Sequence, residues 1–443
     1  MTNINTLFRV DSPICYVGAT SMNQIIYIRL MLVLYRLSVW FYSFVIKALS
    51  PFHEKAKKFS EGRRDWKSKL TIAFEGNSSP VVWFHAASLG EFEQGRPVIE
   101  DLKNKRADVK ILLTFFSPSG YDIKKDYECA DWVFYLPIDS PSSAQYFIDT
   151  VKPTMAVFIK YEFWYYFLKT LKKREVPILM VSTIFRENQL FFHWAAGRFY
   201  QRVLKTFHHF FVQDEKSLHL ISPIIGDKVT VSGDTRFDRV LAIAGDARAI
   251  DEIEKFKKQD KLMVLGSTWP SDMVYLLPLI DKYQDEMKFV IAPHNIDEPT
   301  LKSLQSQLVN SVRFSNSENS ENAQILIIDN MGMLSSIYRY ADFTFIGGAF
   351  RGALHNTLEA AVYGIPVIYG EHENNQKFME AIELVEHGGG FTFSTSEELI
   401  LKFDKIYTDK SAYSDMSTAA SEFVRARSGA TKLVMGEILK LLP

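Results

Sequence analysis

The sequence predicts an α/β protein of two domains, each built on a parallel β-sheet covered by helices. Three observations predict this class: the chain has 443 residues, apolar runs alternate with amphipathic stretches, and the alternation restarts after a charged segment. A chain of this length exceeds one compact core and indicates two domains of ordinary size. Near-continuous apolar strands that alternate with helices are typical of a parallel sheet buried on both faces.

The predicted strands fall into two series, which indicate two Rossmann-type domains joined near residue 240. The charged, weakly apolar segment Ala244–Lys261 separates the series. We therefore expect an N-terminal domain over 50–240, a C-terminal domain over 241–425 and a closing helix over 426–443. The apolar runs are Val81–Ala86, Val109–Phe116, Trp132–Ile138, Met155–Tyr161, Pro177–Thr183, His208–Gln213 and Val229–Ser232, then Leu262–Gly266, Phe289–Ala292, Ile325–Ile328, Phe343–Ile346 and Pro366–Tyr369.

The segment 25–49 is apolar and aromatic but contains Arg29, Arg36 and Lys47. It is nearly long enough to span a bilayer, yet a central arginine is costly there. An interfacial helix or membrane anchor is therefore predicted, with the following basic residues on the cytoplasmic side against anionic lipid. The alternative is a core helix packed on the first domain. Residues 1–21 show no periodicity, and the N-terminal extension over 1–24 remains unassigned.

Composition and absent motifs exclude several classes of protein. A net charge of -1 gives no reason to expect a nucleic-acid partner. Cys15 and Cys129 form neither a metal-spaced cluster nor a disulfide framework. The sequence lacks the phosphate-binding P-loop, the G-x-G-x-x-G fingerprint and the Asp-x-Asp pair that would hold a metal-bound diphosphate sugar. We predict no metal and no cofactor, and a lipid-directed glycosyltransferase fits what remains.

Residues with ligand-binding potential follow several predicted strands. Pro293 and His294 follow one strand, Met331–Leu334 another, and a glycine-rich stretch with Asn356–Glu359 a third. Ligands of doubly wound sheets bind beyond the carboxyl ends of the strands, and a helix start there can receive a phosphate. The alternative for Asn356 and Glu359 is a purely structural capping box.

Glu91 raises a separate question, because it follows the apolar run "VVWFHA" and the small-residue turn "ASLG". A carboxylate in the first turn of a helix complements the helix dipole, which also favours its ionised form. The same carboxylate at the end of a strand can act as a general base. The residues alone leave both interpretations open.

Several motifs together resemble the 3-deoxy-D-manno-octulosonic acid (Kdo) transferases of lipopolysaccharide synthesis. They are "HAASLGE", "FFSPSG", "YLPID", "SGDTRFD", "DNMGML" and "FIGGAFRGALHNTLEAAVYGIPVIYG", in order along the chain. The resemblance implies the GT-B architecture of two facing Rossmann-like domains and a membrane-associating N-terminal helix. It also implies inverting transfer of Kdo from CMP-Kdo to a lipid A precursor of the lipid IVA type, at the cytoplasmic face of the inner membrane.

The resemblance also implies roles for individual residues. Glu91 matches the catalytic base, and Arg236 takes the place of a lysine that stabilises the transition state. Lys160 stands where the family has a glutamate, a reversal of charge, whereas Glu162 matches a second glutamate of that motif. His294 replaces a common arginine, and Met333 replaces a glutamate. The CMP contacts are expected at Pro293, His294, Met331, Gly332, Met333, Asn356, Thr357, Leu358 and Glu359.

Two other functions remain open at this stage. One is a GT-B transferase or an epimerase that uses another nucleotide sugar, which a donor screen would reveal. The other is a catalytically silent scaffold on the membrane, which would bind cytidine nucleotide without turnover. The presence of Glu91 and Arg236 argues against the scaffold.

Overall fold

The computed structural model describes residues 14–193, 197–247, 249–316 and 322–443, with backbone alone for 14–25. Predictions for residues 1–13 lie outside the described residues. The chain divides into two compact units. The first extends to Gly233 and includes Thr431–Pro443, and the second is Asp234–Ala430. The charged segment Ala244–Lys261 lies within the second unit.

The first unit contains a seven-stranded sheet in which each described strand pair is parallel. The strand order β3-β2-β1-β4-β5-β6-β7 confirms the predicted parallel sheet. Its central strands β1, β4 and β5 are buried along their whole length, because helices cover both faces. The strands are β1 (Val81–Ala86), β2 (Lys110–Phe115), β3 (Trp132–Tyr135), β4 (Met155–Ile159), β5 (Ile178–Thr183), β6 (His209–Val212) and β7 (Val229–Val231).

Nine helices of the first unit precede the second unit in the described chain. Several begin at side-chain caps: Ser117, Ser140 and Asp214 each accept a hydrogen bond from a backbone N–H of the first turn. The helices are α1 (Ile14–Leu49), α2 (Glu54–Glu61), α3 (Trp66–Phe74), α4 (Leu89–Lys105), α5 (Pro118–Lys124), α6 (Pro141–Val151), α7 (Tyr165–Lys173), α8 (Gly197–Leu204) and α9 (Glu215–Ile225).

The second unit contains another parallel seven-stranded sheet, in the order β10-β11-β9-β8-β12-β13-β14. The sequence did not predict β10 and β14, because these edge strands are short and partly exposed and their apolar signal is weak. The strands are β8 (Lys261–Thr268), β9 (Met287–Pro293), β10 (Ser311–Arg313), β11 (Ile325–Ile327), β12 (Phe343–Ile346), β13 (Val367–Gly370) and β14 (Gly390–Phe393).

Helices α10 to α18 belong to this second unit, and α19 (Ala430–Leu441) leads the chain back into the first. In α19, Val434, Met435 and Ile438 are buried in one apolar cluster with Val82 and Phe84 of β1. The other helices are α10 (Thr235–Asp246), α11 (Asp251–Lys257), α12 (Pro270–Tyr283), α13 (Glu298–Ser306), α14 (Leu334–Ile337), α15 (Leu358–Ala361), α16 (Met379–Glu386), α17 (Ser396–Thr408) and α18 (Lys410–Ala426).

One face of α1 packs on the rest of the first unit. The hydroxyl of Tyr35 donates to the carboxylate of Asp139 at 2.5 Å. The same carboxylate accepts the N–H groups of Tyr166 and Phe167 at the start of α7. Met31 packs against the apolar core nearby. A buried carboxylate with three donors is well satisfied, so this contact fixes α1 on the unit.

The opposite face of α1 is apolar and exposed. Its residues recur at helical spacing, and the Trp40 side chain is 63% exposed. Among the described residues one helical segment, Ile26–Leu49, has the length and composition to cross a membrane. These residues, here termed the apolar stripe, are Ile26, Leu30, Val33, Leu37, Trp40, Phe41 and Phe44.

Candidate functional site

Each sheet has one point where the strand order reverses, and ligands of doubly wound sheets bind in the crevice at such points. In the first sheet this point lies between β1 and β4. Glu91 follows β1, whereas Lys160 and Glu162 follow β4. The fold therefore places the segments that contain these three predicted residues at the same edge of neighbouring strands.

Glu91 lies in the first turn of α4 and is partly exposed. The helix begins at Ser88, whose carbonyl accepts the N–H of Phe92 at 3.0 Å. The hydroxyl of Ser88 donates to the Glu91 carboxylate. Within the described parts of the chain, no cationic side chain pairs with Glu91. A solvent-accessible carboxylate held by a single hydroxyl has lone pairs left to accept a proton.

A buried network links the two strand ends. The imidazole Nε2 of His85, on β1, lies 3.0 Å from the Glu162 carboxylate. The Trp164 indole N–H donates to the same carboxylate at 2.7 Å. The other imidazole nitrogen lies 2.8 Å from the hydroxyl of Thr114 on β2. The sequence did not predict a role for His85, which lies in the motif "HAASLGE", or for Trp164. The network holds the loop after β4 against β1.

Lys160 has an unusual backbone conformation at the end of β4. Its φ angle is 65°, in the left-handed region that a side chain with a Cβ rarely adopts. The backbone N–H of Lys160 nevertheless donates to Val181 at 2.9 Å, so the strand contact continues through it. No hydrogen bond or ion pair holds its ammonium group within the chain as described. Backbone strain of this kind is often concentrated at functional sites.

Arg236 lies in the first turn of α10, in the second unit. Its guanidinium donates to Asp234 at 2.8 Å and to Glu380 at 2.7 Å. Burial acts to lower the pKa of Arg236, but the two carboxylates outweigh it and the pKa is raised. The sequence did not predict Glu380 as a partner. Two carboxylates therefore surround this guanidinium and offset its positive charge.

The order of the second sheet reverses between β8 and β12. Trp269 follows β8, and His294 follows β9 on the neighbouring strand. Met331 to Met333 follow β11, and the glycine-rich stretch with Asn356 follows β12. The structure thus brings the segments that contain the predicted CMP-binding residues to the carboxyl ends of neighbouring strands. Trp269 lies at the same edge and was not predicted from the sequence.

Asp272 joins the loops that follow β8 and β12. One oxygen of this buried carboxylate accepts the N–H of Trp269 at 2.8 Å and that of Gly348 at 3.0 Å. A Cβ on Gly347 would overlap the carbonyl group of Ser267, so only glycine permits this approach of the two backbones. Asp272 was not predicted from the sequence, although "TWPSD" after an apolar run is a signal for a helix start.

Aromatic and basic side chains stack beside these loops. The rings of Trp269 and His294 lie 4.1 Å apart at 21°, and the Arg351 guanidinium carbon lies 4.2 Å from the Trp269 ring centroid. Partial burial lowers the pKa of His294, and the positive charge of Arg351 lowers it further. Burial and His294 lower the pKa of His355 to about 4. Both imidazoles are therefore neutral at neutral pH.

Several buried polar atoms in this region have no hydrogen-bond partner within the described chain. They include the Trp269 indole nitrogen, Nε2 of His355 and the hydroxyl of Thr357. Buried polar groups are normally paired, because leaving one unpaired costs about 1–3 kcal/mol. Together they indicate a polar ligand at this edge of the second sheet.

The predicted contacts at Asn356 to Glu359 have a structural role as well. The Asn356 side chain accepts the N–H of Leu358 at 3.1 Å and donates to Glu359 at 3.1 Å. Glu359 is bonded here to the side chain of Asn356, which is not the reciprocal backbone bond of a capping box. Leu358 is fully buried in the core, whereas Met331 is 75% exposed. These predicted contact residues therefore differ widely in their access to a ligand.

The chain resembles known proteins in sequence. Residues 64–239 match the family model "3-Deoxy-D-manno-octulosonic-acid transferase (kdotransferase)". The chain is 25% identical over 340 residues to the 3-deoxy-D-manno-octulosonic acid transferase of Aquifex aeolicus, covering 75% of this chain and 88% of the relative. It is 25% identical over 387 residues to the enzyme of that name from Haemophilus influenzae, and the match covers 83% of this chain and 89% of that relative.

Solved structures resemble the fold at lower identity. The UDP-GlcNAc 2-epimerase of Neisseria meningitidis superimposes with a TM-score of 0.55 at 16% identity, covering 81% of this chain and 100% of that chain. MurG of Acinetobacter baumannii gives a TM-score of 0.53 at 12% identity, and the match covers 82% of this chain and 99% of MurG. At this identity the likeness concerns the fold alone. The predicted α/β class and GT-B architecture are confirmed.

Proposed function

We infer the function of this chain from its family, because it belongs to the 3-deoxy-D-manno-octulosonic acid (Kdo) transferases. These enzymes are glycosyltransferases that transfer Kdo. We propose that the donor is CMP-Kdo, that the acceptor is a lipid A precursor of the lipid IVA type, and that CMP is released. We further propose that the anomeric configuration is inverted in a single displacement.

The position of Glu91 carries this proposal. An inverting transfer needs a base that removes the proton of the acceptor hydroxyl as the new glycosidic bond forms. Glu91 is a partly exposed carboxylate at the switch point of the first sheet, and its neighbour there is the hydroxyl of Ser88. In the proposed mechanism the acceptor oxygen loses its proton to Glu91 and attacks the anomeric carbon. The bond from that carbon to the phosphate oxygen breaks, and CMP leaves with the electron pair.

The edge of the second sheet supports donor binding. The unpaired polar atoms of Trp269, His355 and Thr357 offer hydrogen bonds to a nucleotide, and the flat Trp269–His294 pair offers a stacking surface. Arg351 adds a cation beside this pair. A monophosphate leaving group can be stabilised by such donors and cations, so we propose that the reaction needs no metal ion.

Mass analysis of a lipid A precursor incubated with the enzyme and freshly generated CMP-Kdo tests the function. We expect the lipid to gain the mass of one or more Kdo residues, in the presence of EDTA as well. Transfer from another nucleotide sugar but not from CMP-Kdo would support the alternative donor. Binding of CMP without any transfer would support the scaffold.

The affinity for CMP is expected to depend on the ionisation of His294. The pKa of His294 is lowered in the free protein, and a bound phosphate would raise it again. CMP should therefore bind best below the lowered pKa, and its affinity should fall by up to roughly tenfold as pH rises from there through the raised pKa of the complex. The measurement is calorimetric titration of CMP between about pH 5.5 and about pH 8. His294→Arg should remove the dependence, whereas an affinity of the parent protein that does not vary with pH would contradict the role.

We propose that α1 attaches the enzyme to the cytoplasmic face of the inner membrane, with the apolar stripe in the lipid. An exposed apolar side chain gains about 1.5–3 kcal/mol when it is buried. Leu37→Ser combined with Trp40→Ser should therefore weaken vesicle binding at least roughly tenfold. Ile72→Ser combined with Ile123→Ser, two exposed apolar residues of α3 and α5, is the control in a flotation assay. Equal binding by the two variants would contradict the anchor.

A further inference from the structure

A cavity of about 590 Å³ lies in the first unit, between the C-terminal end of α1, helices α2 and α3, and the segment that follows β3. This volume is in the range of small-molecule sites. Three cationic side chains line it, together with four serines and several apolar residues, and no acidic residue lies among those that line it. The cations are Lys47, Arg63 and Arg64.

Arg63 is a half-buried cation without a carboxylate partner in the described chain. Its guanidinium donates to the carbonyls of Leu136 at 2.9 Å, Phe59 at 3.0 Å and Phe116 at 2.7 Å. Burial lowers the pKa of Arg63 to about 9, so it remains charged at neutral pH. Carbonyl dipoles satisfy its donors but do not cancel its charge. A half-buried charge without a counter-ion favours the binding of an anion beside it.

The other polar groups of the cavity are available to such an anion. Lys47 and Arg64 are exposed and form no ion pair within the described residues. The hydroxyl of Ser60 is buried and has no hydrogen-bond partner there. Lys47, Arg64 and the hydroxyl of Ser60, beside the half-buried Arg63, match the several acceptor oxygens of a phosphate group.

The apolar stripe leads to this cavity along α1. Phe44 belongs to the stripe, and Lys47, three residues later, lines the cavity. Residues three apart lie on the same side of a helix. A molecule with acyl chains along the stripe therefore has its headgroup at the cavity. This continuity favours a phosphorylated lipid over a free phosphate.

The cavity is also linked to the edge of the sheet that contains Glu91. Arg63 donates to the carbonyl of Phe116, and the N–H of Phe116 donates to Ala86, the last residue of β1, at 3.4 Å. Ser88 and Glu91 follow within the next turn. A lipid headgroup in the cavity is thus held at the same edge of the sheet as the proposed base, which favours the acceptor over a bulk phospholipid.

We propose that this cavity binds a phosphate group on the headgroup of the acceptor lipid. The proposal rests on the function proposed above. Lys47 and Arg64 are positioning residues in it, because they hold the acceptor and do not touch the reacting atoms. Their removal should therefore affect the KM for the acceptor and spare both kcat and the KM for the donor.

The kinetic test compares Lys47→Ala/Arg64→Ala with the control Lys172→Ala/Lys216→Ala, which removes two exposed cations elsewhere in the same unit. We expect the KM for the phosphorylated acceptor to rise roughly tenfold or more in the first variant only. With an acceptor whose phosphates have been removed enzymatically, the first variant and the parent should have the same KM. An unchanged KM for the phosphorylated acceptor would overturn the proposal.

A binding test separates this proposal from the proposed reaction, because it needs no turnover. Flotation uses phosphatidylcholine vesicles that contain either the lipid A precursor or the same fraction of phosphatidylglycerol. The Lys47→Ala/Arg64→Ala variant should lose much more binding to the first vesicles than to the second, because the apolar stripe still contacts the lipid of both. Equal losses on both would show a general site for anionic lipids and would overturn the assignment to the acceptor. A parent enzyme that binds the precursor but transfers nothing would contradict the reaction alone.

Discussion

Glu91→Gln is expected to lower turnover by roughly two to four orders of magnitude, with little change in stability or donor affinity. Glutamine has the size of glutamate and can still accept the hydrogen bond from Ser88, but it cannot take a proton. If Glu91 only complemented the helix dipole, the substitution would cost at most about 1 kcal/mol of stability and would leave the enzyme active. Steady-state transfer assays and thermal unfolding of the purified variant distinguish the two outcomes.

The matched control for this substitution is Glu93→Gln. Glu93 lies in the same helix and pairs with Arg96 and Lys124 on its surface. Its loss removes the same charge from the same part of α4, and surface ion pairs contribute about 0–1 kcal/mol. We expect the control to transfer Kdo at a rate close to that of the parent. Near-normal transfer by Glu91→Gln would show that Glu91 only complements the helix dipole and does not act as the base.

Asp272→Ala is expected to lower the affinity for CMP by more than roughly tenfold and the free energy of unfolding by about 3 kcal/mol. The carboxylate accepts the N–H groups of Trp269 and Gly348, which lie in loops after two neighbouring strands. Without it both N–H groups are unpaired, and the loops that contain the stacking residues lose their link. Chemical denaturation and CMP titration measure the two effects.

Ser271→Ala is the control for Asp272→Ala. Ser271 precedes Asp272 in the first turn of α12, and its buried hydroxyl has no partner within the described residues. Removal of an unpaired buried hydroxyl should leave stability unchanged or slightly increased. If Asp272→Ala bound CMP as tightly as this control, the link between the two loops would have no role in donor binding.

The sequence predicted the sheets better than the contacts between distant loops. The run Val81–Ala86 and the run Phe343–Ile346 coincide with β1 and β12, because both strands are continuously apolar and buried on both faces. Edge strand β14 was missed, because two of its four residues are only partly buried. Burial on two faces leaves a signal in the sequence that burial on one face does not.

At the candidate site too, residues in a local motif were predicted and contacts between distant segments were not. Glu91 was predicted because it belongs to a contiguous motif, and the structure places it in the predicted first turn of a helix. Asp272 was not predicted, because its partner Gly348 is distant in sequence and contributes only a backbone N–H. Glu380 was missed for a similar reason, since its pairing with Arg236 joins two different helices. Contacts of this kind leave no local pattern in a single sequence.

The return of α19 to the first unit affects how the protein is made. Its apolar residues Val434, Met435 and Ile438 share a cluster with β1, yet the ribosome adds them only after the whole second unit. The second unit, contiguous in sequence, can fold during synthesis, whereas the first lacks part of its core until α19 has been made. The nascent first unit must therefore expose an apolar groove throughout this time. A chaperone that shields this groove, or rapid docking on the membrane, would protect it from aggregation.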